Sequence, residues 1–129
     1  MDLERYFANA TGTGLLATSN AEGEVNLAVY GKPHVLEEGL VAFGTGDRLT
    51  LANLRANPKA AYAYVEPGYR GVRLYLEKVR EETDGPLLAE IRRGAEAAAG
   101  PGAGQAVKAV VVFRVVRSLA LVGPGPARG

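Results

Sequence analysis

Residues 43–58 read FGTGDRLTLANLRANP, which predicts a strand end, a glycine-bearing turn and then a helix. Asp47 is the predicted N-cap of that helix, because its carboxylate can accept a hydrogen bond from a free backbone N–H group. Leu51 and Leu54 lie three residues apart and predict the buried stripe, and Pro58 ends the helix. A helix N-terminus presents unpaired N–H groups and a positive dipole end. This stretch is therefore a candidate phosphate site.

Two polar side chains in the first turn of this helix strengthen the candidate. Arg48 adds a cation that can hold a phosphate through two parallel hydrogen bonds, and Thr50 adds a hydroxyl group. A Gly-x-Gly turn before a helix is common, however. Taken alone, the stretch is better explained as an ordinary tight turn with a helix cap.

The sequence on both sides of this stretch predicts strands. Val25, Leu27 and Val29 alternate with other residues, the period of two that gives a strand two distinct faces. The first three strands are expected to form an antiparallel meander. A bulge near residues 77–78 is expected in the fifth strand, and the sixth is apolar on both faces and therefore central. The six predicted strands are residues 14–19, 25–30, 40–45, 59–65, 71–82 and 107–116.

Three helices complete the predicted order. The first covers residues 2–8, the second begins at Asp47, and the third is capped by Thr83 or Asp84 with Pro86 in its first turn. Strands of this number curl into a barrel that removes exposed edges, and the helices then cover its openings.

Length and composition restrict the class of protein. The chain has 129 residues, enough for one domain with a core of its own, and its 47% hydrophobic and 22% charged residues are ordinary for a globular protein. No apolar run is long enough to span a bilayer, and the N-terminal MDLERYF lacks a secretory h-region, so a cytoplasmic protein without a membrane partner is expected. The net charge of +1 argues against nucleic-acid binding.

The residue inventory excludes several chemistries. The chain has no cysteine, which removes disulfides, thiolate catalysis and cysteine metal sites together. His34 is the only histidine, so clustered metal ligands are not expected. Nucleophilic catalysis by a cysteine or by a histidine-activated side chain is therefore not expected.

Two further places are candidates for a ligand. Asn26 and Tyr30 project from the strand face opposite the Val25–Val29 row, where a flat heterocycle can rest; the alternative is an interface or a half-solvated sheet face. Tyr69 and Arg70 lie between two glycines, as in a mobile binding loop, although an ordinary hairpin explains them equally well.

The ordered set of motifs is more specific than any one of them. Val25-Asn26 leads to Phe43-Gly44-Thr45, then to TLANLRANP at 50–58, to YRGVRLYL at 69–76 and to EETDGP at 81–86. With its motifs in this order, the chain resembles the pyridoxamine 5'-phosphate oxidase-like FMN-binding split-barrel superfamily. It is most similar to the short FMN-binding members, and the resemblance covers about residues 3–121.

The resemblance implies a mainly β fold, a six-stranded antiparallel split β-barrel with Greek-key-like topology. Residues 1–122 would form the FMN-binding domain and residues 123–129 a flexible C-terminal tail. It also implies a homodimer with FMN in two grooves between the subunits. The flavin edge, the ribityl chain and the phosphate would contact Phe43, Gly44, Thr45, Arg48, Leu49 and Thr50. The flavin ring would contact Asn26 and Tyr30. The partner subunit would supply Tyr69 and Arg70.

Two departures from the family pattern narrow the function. Many relatives carry lysine where this chain has Thr50, so the phosphate charge would fall to Arg48 or another arginine. The Arg-x-His-x-Arg signature of true pyridoxamine phosphate oxidases is absent, and the corresponding end reads Leu121-Val122-Gly123-Pro124. Oxidation of vitamin B6 is therefore not expected.

The expected function is an FMN-binding oxidoreductase or small electron-transfer protein acting on an unnamed redox substrate. The first alternative is the same barrel holding a deazaflavin, haem or no cofactor, because a fold does not determine a function. The second is a barrel that binds protein or nucleic acid, with Tyr62, Tyr64, Tyr69 and Tyr75 stacking bases.

Overall fold

The computed structural model of the chain describes residues 1–37 and 39–127. Its helices are α1 (Leu3–Asn9), α2 (Leu49–Ala56) and α3 (Pro86–Ala99), with a 3₁₀ turn at Gly104–Ala106. Its strands are β1 (Thr13–Ser19), β2 (Val25–Tyr30), β3 (His34–Val35), β4 (Leu40–Thr45), β5 (Lys59–Glu66), β6 (Arg70–Glu82) and β7 (Ala109–Ala120).

The strands form one antiparallel sheet in the order β2-β1-β5-β6-β7-β4-β3. The mainly β prediction is confirmed, but the count of six strands is wrong because the described residues form seven. The additional strand, β3, has two residues, with His34 opposite Ala42 and Val35 opposite Val41. A two-residue strand is too short to show the alternation from which a strand is predicted.

The expected meander of the first three strands is wrong for the third. β1 and β2 pair as predicted, but β4 pairs with β7 and β3 instead of β2. Three successive residues of β4, Val41, Ala42 and Phe43, are buried, so this strand needs cover on both faces. That cover exists where the barrel interior lies on one side and α3 on the other.

The sheet curls until the edge strand β2 meets β4 through side chains. The hydroxyl groups of Tyr30 on β2 and Thr45 on β4 lie 2.8 Å apart, and the ring of Tyr30 packs edge-on against Phe43 at 6.0 Å between centroids. Among the described residues no backbone ladder joins β2 to β4. The arrangement is consistent with a split barrel.

The predicted bulge in β6 and the predicted central place of the last strand are confirmed, although the last strand covers Ala109–Ala120 and not residues 107–116. The β6–β7 ladder shifts register between Tyr75 and Leu76 and again between Lys78 and Arg80, which brackets the predicted bulge. β7 lies between β6 and β4, and its first five residues, 109–113, are all buried. The tight core of the barrel therefore forms around this strand.

Residues 123–127 fold back along β7. Pro126 bridges Leu119, the N–H of Ala120 donates to the carbonyl of Gly125 at 2.9 Å, and the Arg73 guanidinium donates to the carbonyl of Gly123. The predicted domain boundary after residue 122 stays a prediction, and residues 128–129 of the predicted tail lie outside the described residues. Within the described chain, no helix combines the length and apolarity needed to cross a membrane.

Candidate cofactor site

A cavity of about 510 Å³ opens where β2, the β4–α2 junction and the segment before β7 meet. Of the ten site residues predicted from the sequence, seven line this cavity, and five other residues complete the lining. The predicted ones are Asn26, Tyr30, Gly44, Thr45, Arg48, Leu49 and Thr50; the additional ones are Ala28, Val29, Gly46, Ala106 and Val107.

The β4–α2 junction places a helix N-terminus at this cavity. The backbone turns at Gly46, whose carbonyl accepts a hydrogen bond from the N–H of Arg48 at 2.9 Å. Arg48 is then the N-cap, with extended backbone, and makes no side-chain cap bond. The prediction of Asp47 as the cap is therefore wrong by one position. Since no side chain caps α2, its first N–H groups are available to an anion beside Leu49 and Thr50.

A chain of polar contacts joins β2 to the end of β4 beside the cavity. Tyr30 and Thr45 share the 2.8 Å contact between hydroxyl groups, and the Thr45 hydroxyl donates to the carbonyl of Gly46 at 3.2 Å. Thr45 is buried, so these bonds replace the water it has lost. Phe43 is also buried and lies behind Tyr30, so it supports the wall without lining the cavity.

Gly44 and Gly46 let a distant segment reach the cavity. A Cβ atom on Gly44 would lie 2.6 Å from Cγ2 of Ile91 and 2.9 Å from Cγ1 of Val107, and one on Gly46 would lie 3.0 Å from the carbonyl oxygen of Ala106. These close approaches bring residues 106 and 107 into the wall. The sequence offered no local signal for them, because the contact depends on how α3 packs.

The Asn-Leu-x-x-Asn-Pro segment orients α2 and lies outside the cavity wall. Asn53 is buried, and its amide donates to the hydroxyl of Thr18 on β1 at 3.1 Å. The side-chain oxygen of Asn57 accepts from the N–H of Lys59 at 3.1 Å just after the helix. The most characteristic motif of the resemblance therefore positions the helix whose other end faces the cavity.

Tyr69 and Arg70 do not line this cavity within one chain. They lie at the turn between β5 and β6, where Tyr69 has a positive φ of 59° and an exposed fraction of 85%. Their role as residues supplied by a partner subunit stays a prediction.

Comparison with solved structures supports the fold. An FMN-binding protein from Syntrophomonas wolfei subsp. wolfei superposes with a TM-score of 0.80 at 20% identity, covering 92% of this chain and 82% of that one. HupZ from Group A Streptococcus superposes with a TM-score of 0.76 at 20% identity, covering 99% and 97%. A pyridoxamine 5'-phosphate oxidase-like protein from Listeria innocua gives 0.67 at 13% identity, covering 92% and 91%.

Other structures with this fold carry different cofactor names. One is described as an F420 reductase, with a TM-score of 0.63 at 20% identity, and another is the haem storage protein HutZ from Vibrio cholerae, with 0.60 at 18%. No family model and no curated protein matches the sequence. The chain has the pyridoxamine 5'-phosphate oxidase-like split-barrel fold, a fold used for binding several cofactors.

Proposed function

We propose that this chain binds FMN in the cavity at the β4–α2 junction and works as an oxidoreductase or a small electron-transfer protein. The observation that carries the proposal is the N-terminus of α2, which has no side-chain cap and meets Arg48 and Thr50 at the cavity. A volume of about 510 Å³ falls in the range of small-molecule sites.

The residues present fit such a ligand. The first N–H groups of α2, the Arg48 guanidinium and the Thr50 hydroxyl would hold the phosphate. Asn26 carries one acceptor and two donors, which suit the polar edge of a heterocycle, and Tyr30 adds an aromatic surface beside it. When bound, the flavin supplies the redox chemistry, and the chain's residues bind and orient it.

Haem fits the cavity less well. His34 is the only imidazole in the chain, and it lies on β3 opposite Ala42 and away from the cavity wall. A deazaflavin is the second candidate. The phosphate site would suit the phosphate group of a deazaflavin equally. Thr50 favours this alternative, because it stands where many FMN-binding relatives carry a lysine.

A retention experiment separates these ligands. The purified protein is mixed with FMN, deazaflavin F420 or haemin, excess ligand is removed by gel filtration, and absorption spectra are recorded. We expect FMN bands to stay with the protein and the haem Soret band to be lost. Retention of F420 without FMN would replace the proposed cofactor, and retention of neither flavin would contradict a flavin site.

The proposal includes a homodimer, which the exposed face of β2 supports. Val25, Leu27 and Val29 are 84%, 63% and 73% exposed on an edge strand, and the register places Leu15 and Ala17 of β1 beside this row. A contiguous apolar face on an unpaired edge invites association. Because the alternate residues of β2 line the cavity, a second copy on this face would lie next to the cofactor.

The dimer is tested by adding a charge to this row. We expect Leu27→Glu to convert a dimer into a monomer in light scattering, since a carboxylate buried in an apolar interface loses its hydration. Val116→Glu is the matched control, because Val116 is 62% exposed and lies on β7, four strands away. A monomeric wild-type protein, or equal effects of both substitutions, would rule out the β2 interface.

A further inference from the structure

A second cavity, of about 370 Å³, lies between α3 and the 3₁₀ turn and has a basic lining. The residues that line this α3 cavity are Arg92, Arg93, Glu96, Gly104, Gln105 and Lys108. Three of them are cations and one is a carboxylate, whereas the net charge of the whole chain is only +1. A local excess of positive charge in a concave site favours an anionic ligand.

Neighbouring carboxylates do not cancel these positive charges. Among the ion pairs of the described residues, none includes a cation of the α3 cavity, and Glu96 takes part in none. Glu96 follows Arg92 by four residues on α3, and an arginine placed before a glutamate is the weaker of the two orders on a helix. The charges of Arg93 and Lys108, which are both exposed, are therefore available to a ligand.

The packing around the α3 cavity holds its lining in place. Nε of Arg92 donates to the carbonyl of Val107 at 2.9 Å, which fixes the guanidinium and leaves its terminal N–H groups pointing to no backbone partner. The N–H of Lys108 donates to the carbonyl of Thr45 at 2.9 Å. Gly104 is buried, and a Cβ atom on it would lie 2.8 Å from the carbonyl oxygen of Arg92. Because the 3₁₀ turn and α3 are in close contact, the site needs little ordering when a ligand binds.

The α3 cavity and the candidate cofactor cavity share one short segment of chain. Gln105 and Lys108 line the α3 cavity, whereas Ala106 and Val107, between them in sequence, line the cofactor cavity. Neighbouring Cα atoms are about 3.8 Å apart, so the two linings meet along this segment. A ligand in the α3 cavity therefore lies next to the cofactor site.

We propose that the α3 cavity is a second anion site, which binds the phosphate group of a small molecule alongside the cofactor. Three cations less one carboxylate leave a formal charge of +2 in the lining, which is complementary to a dianionic group. A phosphate monoester presents three acceptor oxygens, one for each cation, whereas a carboxylate presents two. Arginine also matches phosphate through two parallel hydrogen bonds. The site depends on the chain's own residues and not on which cofactor binds.

Inorganic pyrophosphate is the probe for this site, added to isotopically labelled protein without cofactor at constant ionic strength. We expect saturable amide chemical-shift changes at residues 92–96 and 104–108. They should persist in Arg48→Ala, which weakens the other anion site at α2. Citrate, an anion of similar charge that has only carboxylates and a hydroxyl, should bind more weakly. Shifts confined to the first turn of α2, the absence of saturation, or tighter binding of citrate would overturn the proposal.

Substitutions of opposite charge effect show whether the lining itself binds the anion. Arg93→Gln and Lys108→Gln should each raise the dissociation constant of pyrophosphate about threefold to fivefold, since each removes an exposed cation. Glu96→Gln removes the repelling carboxylate and should lower the constant by a similar factor. Arg5→Gln, an exposed arginine of α1 outside the cavity, is the matched control and should leave it unchanged. An equal effect of Arg5→Gln and Arg93→Gln, or binding of heparin without pyrophosphate, would contradict a small-molecule site.

A titration in the presence of FMN separates this proposal from that of the FMN site. Protein saturated with FMN should still bind pyrophosphate at the α3 cavity with unchanged affinity, because the two ligands contact different linings. Loss of the α3 shifts when FMN binds would assign the basic lining to the cofactor and overturn the second site. If the protein retains no FMN and pyrophosphate still binds at α3, the FMN proposal fails and the second anion site stands.

Discussion

Arg48→Ala is expected to weaken FMN binding by about tenfold or more, equivalent to about 1.4 kcal/mol or more. The guanidinium lies at the cavity beside the uncapped start of α2, where it supplements the helix dipole. Within the described chain Arg48 belongs to none of the ion pairs, so its charge is available to a ligand. Flavin fluorescence quenching gives the dissociation constants.

Riboflavin is the matched ligand control for this substitution, because it has the same ring and ribityl chain without the phosphate. Its affinity should be equal in wild type and Arg48→Ala. Arg5→Ala, an exposed arginine of α1, removes the same charge elsewhere and should leave FMN affinity unchanged. If Arg48→Ala weakens both ligands equally, Arg48 does not contact the phosphate, and if it weakens neither, Arg48 is outside the site.

Gly44→Ala is expected to destabilise the fold by about 1–3 kcal/mol, whether or not a cofactor is bound. The new Cβ would overlap Cγ2 of Ile91 and Cγ1 of Val107. Because Ile91 is buried and Gly44 is held opposite Val110 in the β4–β7 ladder, Ile91 has little free space to move into. Denaturant unfolding of the protein without cofactor measures the change in the free energy of unfolding.

Two further variants isolate the cause of this loss. Gly94→Ala, on α3 with nothing within 4 Å of its would-be Cβ, should leave stability unchanged or raise it. Ile91→Ala removes the clashing methyl group, so the double variant should lose less stability than the sum of the single losses. Strict additivity would show that Ile91 is not the obstacle. A Gly44→Ala protein as stable as wild type would show that Gly44 is not needed for packing and would leave ligand binding as its role.

The alternating and apolar segments were predictable because their signals are local. The period of two in β2, the bulge in β6 and the doubly buried start of β7 all follow from neighbouring residues. The partner of β4 was not predictable in this way. Pairing depends on which strand supplies cover for Val41, Ala42 and Phe43, and that is decided by β7 and α3, far along the chain.

In the candidate site, too, residues with a local sequence signal were predicted and residues brought in by distant contacts were not. Arg48 and Thr50 were identified because a turn before a helix is a local pattern, and the cavity does include them. Ala106 and Val107 were missed because a distant approach to Gly44 and Gly46 brings them there. Asp47 was assigned the cap from residue type alone, whereas the 2.9 Å bond from the N–H of Arg48 to Gly46 moves the helix start by one residue.

The most direct test of the FMN site is an amide chemical-shift map of the isotopically labelled wild-type protein, recorded with saturating FMN and again with riboflavin. The account predicts shifts along β2 at residues 26–30 and across the junction at 44–50 with FMN. It also predicts that the difference between the two ligands is confined to Gly46 and the first turn of α2. Shifts centred elsewhere, or equal maps for the two ligands, would contradict a phosphate site at this helix.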